Sequence, residues 1–444
     1  MEKYYDSHCH VFTQKETVNL RLIIQIIFAL PDILEKEKTR KVSAVEDLKK
    51  KKNQLKRIIN FIKVGLSDSE QTILDKMEEV YKNQFCIAPL MFDLECVFVS
   101  SRSGEENTPE IDMSTLHNQY DNTVADFHDH HEKNIERSKI LLGSLNIAEV
   151  SRDIEEYERM LIESKRLFAI LKSKNLEKET FPQILMKNYE LQLEDITQLK
   201  NDNPDTVYPF IAIDPRRKGI IERYIHEIYP QNIFTGVKLY CPNGYSPTDD
   251  ELMKPGGLYE FCEKNNIPIT AHHSHGGFAT PLEEVEIEGD IYIDGEVIPA
   301  HRYVKFSKAF SDGWVADRAE KLNHPDLWDK VLTNFPKLKL NLAHFGNGSA
   351  EWQEKLKIML DNYDNFHTDL SCWTDRTELN DFKNNVFIEM SDEVKAKVLY
   401  GSDYYLDLLF IDSFQEYVDN FYSVFTPEEF TQIALTNAKK FLLG

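Results

Sequence analysis

Near the N-terminus the sequence reads Tyr4-Tyr-Asp-Ser-His-Cys-His10, with two imidazoles two residues apart at the end of a short run and Asp6 just before them. On an extended strand successive side chains turn to opposite faces, so His8 and His10 share one face and Cys9 takes the other. Two imidazoles side by side can hold one divalent metal. Alone, the pattern is equally that of two ordinary histidines on a strand. What raises it above that is repetition, because other chemistry-bearing residues recur where later apolar runs end. Lys238 lies in Phe234-Thr-Gly-Val-Lys-Leu-Tyr-Cys241. His272, His273 and, slightly beyond, His275 follow Ile267-Pro-Ile-Thr-Ala271, His344 closes Leu338-Lys-Leu-Asn-Leu-Ala-His344, and Asp403 closes Lys397-Val-Leu-Tyr-Gly-Ser-Asp403.

These runs must be strands that deliver their ends to one place. Counting the first run, Cys86–Glu95, Val207–Asp214, the four just named and Phe366–Ser371, the sequence predicts eight short strands alternating with helices. Short buried strands alternating with helices argue for a parallel sheet, and eight of them for a (β/α)8 TIM barrel of the α/β class. Such barrels place their chemistry at the C-terminal ends of the strands, where the polar residues fall. Two long helical stretches, about 14–83 and 114–200, read as insertions in a single domain spanning 1–444. The apolar Leu20–Leu30 reads as a buried helix, Ser67-x-x-Glu70 as a capping box, and Lys49–Lys52 as a solvated helix face. A third excursion, about 276–324, follows strand five. Within it Val285–Ile298 alternates apolar and polar residues around Asp294-Gly295, which predicts a β-hairpin placed as a lid over the barrel mouth. Thr426-Pro-Glu-Glu429 opens the last helix.

A hydrophobic content of 41% suits a large core, and a net charge of −23 leaves no basic footprint for nucleic acid or an anionic membrane. No apolar run is long and unbroken enough to span a bilayer; Leu20–Leu34 carries Arg21, Gln25, Pro31 and Asp32. The six cysteines show no Cys-x-x-Cys spacing and read as reduced, buried thiols of a cytoplasmic protein. No basic-then-apolar leader precedes the first strand. His128, His130 and His131 fall in a polar helical stretch and read as a surface feature.

The ordered set His-x-His, Lys, His, His, Asp on strands one, four, five, six and eight resembles the amidohydrolase superfamily. Within it the chain is similar to the amidohydrolase-related group of metal-dependent hydrolases and decarboxylases. Gly236-Val-Lys-Leu-Tyr240, Asn323-His-Pro325, Pro336-Lys-Leu-Lys-Leu-Asn-Leu-Ala-His-Phe-Gly346 and Asn437-Ala-Lys-Lys-Phe-Leu442 carry the same likeness. It covers the barrel but not the helical stretches. The resemblance implies His8, His10, His272 and Asp403 as metal ligands, Asp403 also as the base and acid of the reaction, and His344 as the group that polarises a carbonyl or holds a second ion. Histidine and carboxylate donors suit Zn²⁺, with Mn²⁺, Fe²⁺ or Co²⁺ as alternatives, and one ion is expected rather than two. Lys238 bridges two metals when carboxylated in dinuclear relatives; it would otherwise bind a substrate carboxylate or pair with Asp403.

His273 is expected behind its strand and His275 in the following loop, within reach of substrate. Arg216, after Asp214-Pro215, suits either an anionic substrate or a structural ion pair. The resulting expectation is hydrolysis of an amide, lactone or ester of a small molecule by metal-activated water. Decarboxylation of an aromatic or unsaturated acid is the alternative, and a metal-stabilised binding module without catalysis stands behind both. A small-molecule substrate is the expected partner, and homo-oligomerisation is left open.

Overall fold

The computed structural model describes residues 3–13, 23, 26, 43–101, 113–142, 148–174 and 181–444. Among them the strands are, in chain order, β1 Tyr4–Cys9, β2 Phe85–Pro89, β3 Phe210–Ala212, β4 Gly236–Leu239, β5 Ile269–Ala271, β6 Glu284–Ile287, β7 Asp290–Ile293, β8 Glu296–Pro299, β9 Arg302–Lys305, β10 Leu340–Leu342, β11 Phe366–Asp369 and β12 Val398–Leu399. All eight expected core strands are present, shorter than the apolar runs that announced them. Six form one parallel sheet in the order β3-β4-β5-β10-β11-β12, and β1 pairs with β2 in a second parallel sheet.

Regular ladders therefore stop at two seams, but single backbone contacts cross both. Ile87 and Tyr208 exchange hydrogen bonds with the far strand through Ile87 N to Thr206 O and Tyr208 N to Ile87 O, each 2.8 Å. Ser7 N reaches Tyr400 O at 3.1 Å, and Asp403 N reaches His8 O at 2.7 Å. The register brings the strand ends level. Lys238 lies opposite Thr270, and Leu342 lies opposite both Ala271 and Thr368, so the residues that follow these positions emerge at one height. The strands are buried on both faces, as parallel sheets covered by helices are. A small apolar cluster at β1, β2, β3 and β12 includes Tyr5, Ala88, Phe210 and Leu399 and is filled by Phe441 and Leu442 of the last helix.

The long connections are helical: α1 Ala44–Gly65 and α2 Glu70–Tyr81 before β2, then α3 Met113–Leu142, α4 Ala148–Lys174 and α5 Phe181–Asp202 before β3. Of the apolar Leu20–Leu30 stretch, Ile23 and Ile26 are helical and buried; the rest lies outside the described residues. The capping box sits at Ser43 and Glu46, where it starts α1. The cap of α2 is Ser69 rather than Ser67, whose hydroxyl instead accepts from Lys76 Nζ at 2.7 Å. The predicted Thr426–Glu429 box is present, with Pro427 at the first helical position.

Lys49 and Lys52 are not a bare solvated face. They pair with Glu149 at 2.8 Å and with Asp153 at 2.6 Å, tying α1 to α4. The histidine patch on α3 is split by the helix itself. His130 is exposed, but His131 is buried with Nδ1 2.5 Å from Tyr157 Oη. The helical turn sends neighbours one residue apart to different sides. No helix among the described residues is long and apolar enough to cross a membrane.

The excursion after β5 is more than one hairpin. β7 and β8 form the expected ladder around Asp294-Gly295, whose φ values of 52° and 87° suit a primed hairpin turn. Outside it β6 pairs with β9, also antiparallel. Arg318, on the helix Trp314–Asn323, fastens both legs. Its buried guanidinium donates to Thr280 O at 2.8 Å, Leu282 O at 3.1 Å and Ser307 O at 2.8 Å. Arg318→Ala is expected to orphan these carbonyls and lower unfolding stability by about 3 kcal/mol. Urea unfolding reads the loss, and limited proteolysis near Asp294-Gly295 should accelerate in the variant.

Candidate metal centre

β1 delivers His8 and the residue after it delivers His10; β4 carries Lys238, His272 follows β5, His344 stands two residues past β10, and Asp403 four past β12. All six are buried, none more than 7% exposed. The chain turns abruptly to present two of them: His344 has φ 67° and Asp403 φ 60°. Left-handed backbone at non-glycine residues is costly, and it persists where surrounding contacts over-determine it. Asp403 N is held by His8 O, and His344 N donates to Asp369 Oδ1 at 3.0 Å.

Hydrogen-bond partners assign the ring tautomers. His10 Nδ1 lies 2.9 Å from Leu90 O, an obligate acceptor, so it carries the proton and Nε2 is bare. His8 Nδ1 lies 3.0 Å from Asp369 Oδ2, with the same consequence. Both bare Nε2 atoms then face the same carboxylate oxygen, Asp403 Oδ1, at 3.3 Å from His8 and 3.2 Å from His10. His272 Nε2 points at Gly276 O, 3.0 Å away, which leaves its Nδ1 bare. That Nδ1 meets His344 Nε2 at 3.1 Å. Ser371 Oγ donates to Asp369 Oδ1, so His344 Nδ1 is the donor to Ser371, 2.9 Å from Oγ, and His344 Nε2 is bare as well.

Four lone pairs and a carboxylate oxygen thus converge in a buried space where acceptor faces acceptor. A cation between them would relieve that repulsion. Nitrogen donors with an oxygen, each imidazole steered from its far nitrogen, are the donor set of a transition-metal or zinc site. The residues fit a divalent ion. His8, His10 and Asp403 form one group with donor atoms mutually within 4.8 Å. His8, His344 and Asp369 form another, while His272 belongs to neither and joins through His344.

Electrostatics follow from burial. Burial lowers the pKa of His10, against the pull of Asp403. It brings His344 down to about 4 and His272 well below the ordinary value. At His8 burial and Lys238 oppose protonation, but Asp369 and Asp403 outweigh them and raise its pKa. Burial would raise the Asp403 carboxyl, yet His10 and His8 hold it well below the carboxylate range. Burial pulls the Lys238 amine down to about 8. No hydrogen bond or ion pair is formed by that amine among the described residues, and Nζ lies 6.0 Å from the centroid of the Tyr240 ring.

Beside the centre stands an aromatic wall. Phe92 packs on His10 at 5.5 Å, on Tyr240 at 5.1 Å and on Phe278 at 5.6 Å, and Tyr240 stacks on His272 at 4.4 Å. Arg216 is not in this space. Its guanidinium grips Asp214 at 2.9 and 2.6 Å and donates to Val99 O, Cys96 O and Asn243 O, which is the structural ion-pair alternative. His273 is buried against Trp352, ring centroids 4.5 Å apart. His275 lies in the loop after β5, bonds Glu320 at 3.2 Å and lines a cavity of about 520 Å³ under the β7–β8 turn with Tyr292 and Lys321.

Sequence reasoning passed over Asp369, Ser371 and Asn341. The first two end the apolar run of strand seven in Phe366-His-Thr-Asp-Leu-Ser371, the same signal that singled out Asp403.

Among solved structures, a 2,6-dihydroxybenzoate decarboxylase from Rhizobium is 14% identical, with 100% of this chain and 99% of that one covered and a TM-score of 0.42. A 5-carboxyvanillate decarboxylase from Novosphingobium aromaticivorans, complexed with manganese, is 10% identical over 99% and 96% of the two chains, TM-score 0.44. A dihydroorotase from Campylobacter jejuni is 16% identical over 56% and 70%, TM-score 0.31. No curated protein matches the chain. The amidohydrolase family matches residues 181–443, which holds Lys238, His272, His344 and Asp403 and leaves His8 and His10 outside. With that match over more than half of its length, the chain belongs to the amidohydrolase family.

Proposed function

We propose that this protein is a metal-dependent hydrolase that cleaves an amide, lactone or ester bond of a small molecule, on a single (β/α)8 barrel with helical insertions. The hydrogen bonds that cross both sheet seams support the barrel. The observation that carries the reaction is the state of Asp403: Oδ1 faces two bare imidazole nitrogens, while Oδ2 has no hydrogen bond among the described residues. A divalent ion, zinc before manganese, iron or cobalt, held as a single ion by His8, His10, Asp403 and the His272–His344 pair, would supply a Lewis acid that polarises a carbonyl and acidifies water.

The residues do the rest. Asp403 Oδ2 takes the proton of an attacking water and returns it to the leaving group. His344, with Nδ1–H on Ser371, turns its Nε2 lone pair to the ion. Lys238, a buried amine with no partner, anchors a negative group of the substrate. Phe92, Phe278 and Tyr240 exclude bulk water from the reacting atoms. Six free cysteines suit a reducing compartment.

One observation favours decarboxylation instead. An unpaired amine next to an aromatic wall matches a flat ring bearing a carboxylate, which would bind without an attacking water.

Purified protein, stripped by chelation and reloaded with zinc, manganese or cobalt, separates the readings. Hydrolysis of an amide, lactone and ester panel should return with metal and fall about 10²–10⁴-fold in Asp403→Asn. Carbon dioxide release from aromatic acids without any hydrolysis would overturn the hydrolase in favour of the lyase. Tight metal binding with neither activity would leave a binding module.

A second prediction concerns Gly277, at φ +95°, where a Cβ would sit 2.6 Å from Tyr240 Oη and 2.9 Å from the His272 ring. Gly277→Ala should displace that ring and weaken metal binding about tenfold or more, the range for a lost outer-sphere support. Chelator competition measures it.

A further inference from the structure

Asp369, at the end of β11, accepts hydrogen bonds from β1, from β10 and from the turns that follow β10 and β11. Oδ2 takes His8 Nδ1 of β1 at 3.0 Å and Asn341 Nδ2 of β10 at 2.7 Å. Oδ1 takes His344 N and Ser371 N, each at 3.0 Å, and the hydroxyl of Ser371. Five donors on two oxygens leave the carboxylate no vacancy and no proton of its own. The group His8, His344 and Asp369 has donor atoms close enough for a second ion. Its centre is already filled, because Ser371 Oγ lies 3.1 Å from His8 Nδ1 and 2.9 Å from His344 Nδ1 while donating to Asp369. The group is therefore a hydrogen-bond hub.

That hub has a directional consequence. With the Ser371 proton committed to Asp369, His344 Nδ1 can only donate to Ser371. With Asp369 as its partner, His8 Nδ1 can only donate too. One carboxylate thereby dictates the tautomer of two rings on opposite sides of the site, and also holds the left-handed turn that aims His344. We infer that Asp369, acting with Ser371, is the positioning residue of the metal centre, setting His8 and His344 as Nδ1–H tautomers with both Nε2 lone pairs turned to the ion. The inference rests on the metal-centre reading for its effect on affinity, but the tautomers are a property of the metal-free chain.

Two measurements test it. Zinc and manganese affinity is measured by chelator competition on the full-length protein, for the natural chain, Asp369→Asn and Ser371→Ala, with far-UV circular dichroism as the check on folding. Asp369→Asn is expected to bind about 10–100-fold more weakly with an unchanged spectrum, and Ser371→Ala more weakly by a smaller factor. Second, ¹⁵N-imidazole spectra of the metal-free natural protein, recorded at alkaline pH so that His8, whose pKa is raised, is neutral, with His8→Asn and His344→Asn for assignment, should show protonated Nδ1 and bare Nε2 at both residues. Folded Asp369→Asn that binds as tightly as the natural chain overturns the inference, as does an Nε2–H signal at either histidine. If Asp369→Asn fails to fold, the spectra of the natural protein decide. A natural chain that binds neither ion sinks the metal-centre reading and leaves the tautomers to be judged by their own signals.

Discussion

The mutual approach of acceptors around Asp403 governs this molecule. In water, imidazole lone pairs and a carboxylate would turn away from one another and be hydrated. Here the strands hold His8 and His10 so that both bare nitrogens look at one oxygen within 3.3 Å. His272 and His344 repeat the conflict nitrogen to nitrogen. Such an arrangement is tolerated only because each ring is pinned from its other side, by Leu90 O, Asp369, Gly276 O and Ser371. The outer contacts make the inner repulsion possible, and a cation would relieve it.

The periphery extends the same economy of pinned groups. Buried arginines are saturated: Arg216 binds its own neighbour Asp214 together with three carbonyls, and Arg318 staples the start and end of the β6–β9 excursion. The β7–β8 turn of that excursion lines a cavity with His275 and Tyr292. The helices before β2 and β3 are joined to each other through partly exposed lysine–carboxylate pairs, each worth little alone, and chiefly through their apolar faces.

How far the sequence carried the reading depends on the range of the interaction involved. Strand existence was legible because a strand buried on both faces must be apolar, and all eight runs proved to contain one. Caps were legible where the box was local and complete, at Thr426, and misplaced by two residues at Ser67, since Ser69 offers an equally good hydroxyl to the same helix. His131 was misjudged because polarity of its neighbours hid the single buried face of α3, which only Tyr157 of α4 reveals. Among the candidate residues, His8, His10, Lys238, His344 and Asp403 were singled out from their place at strand ends, and the structure buries all five at that end of the strands. Asp369 stood at such an end as well and was missed, because a carboxylate there has no role until its partners on β1 and β10 are known.

Composition and spacing by themselves determined the α/β class, the alternation of strands with helices, the acidic character and the types of residue available for metal chemistry. Those are properties of single segments, set by burial and by the period of the chain. The tertiary structure alone decided which nitrogen of each histidine is bare, that Arg216 is spent on Asp214, that His272 reaches the centre through His344, and that Asp369 holds two rings at once. The ring assignments depend on atoms brought together from segments as much as 363 residues apart, as Ser371 and His8 are. Hydrogen-bond direction is settled only where donor and acceptor meet.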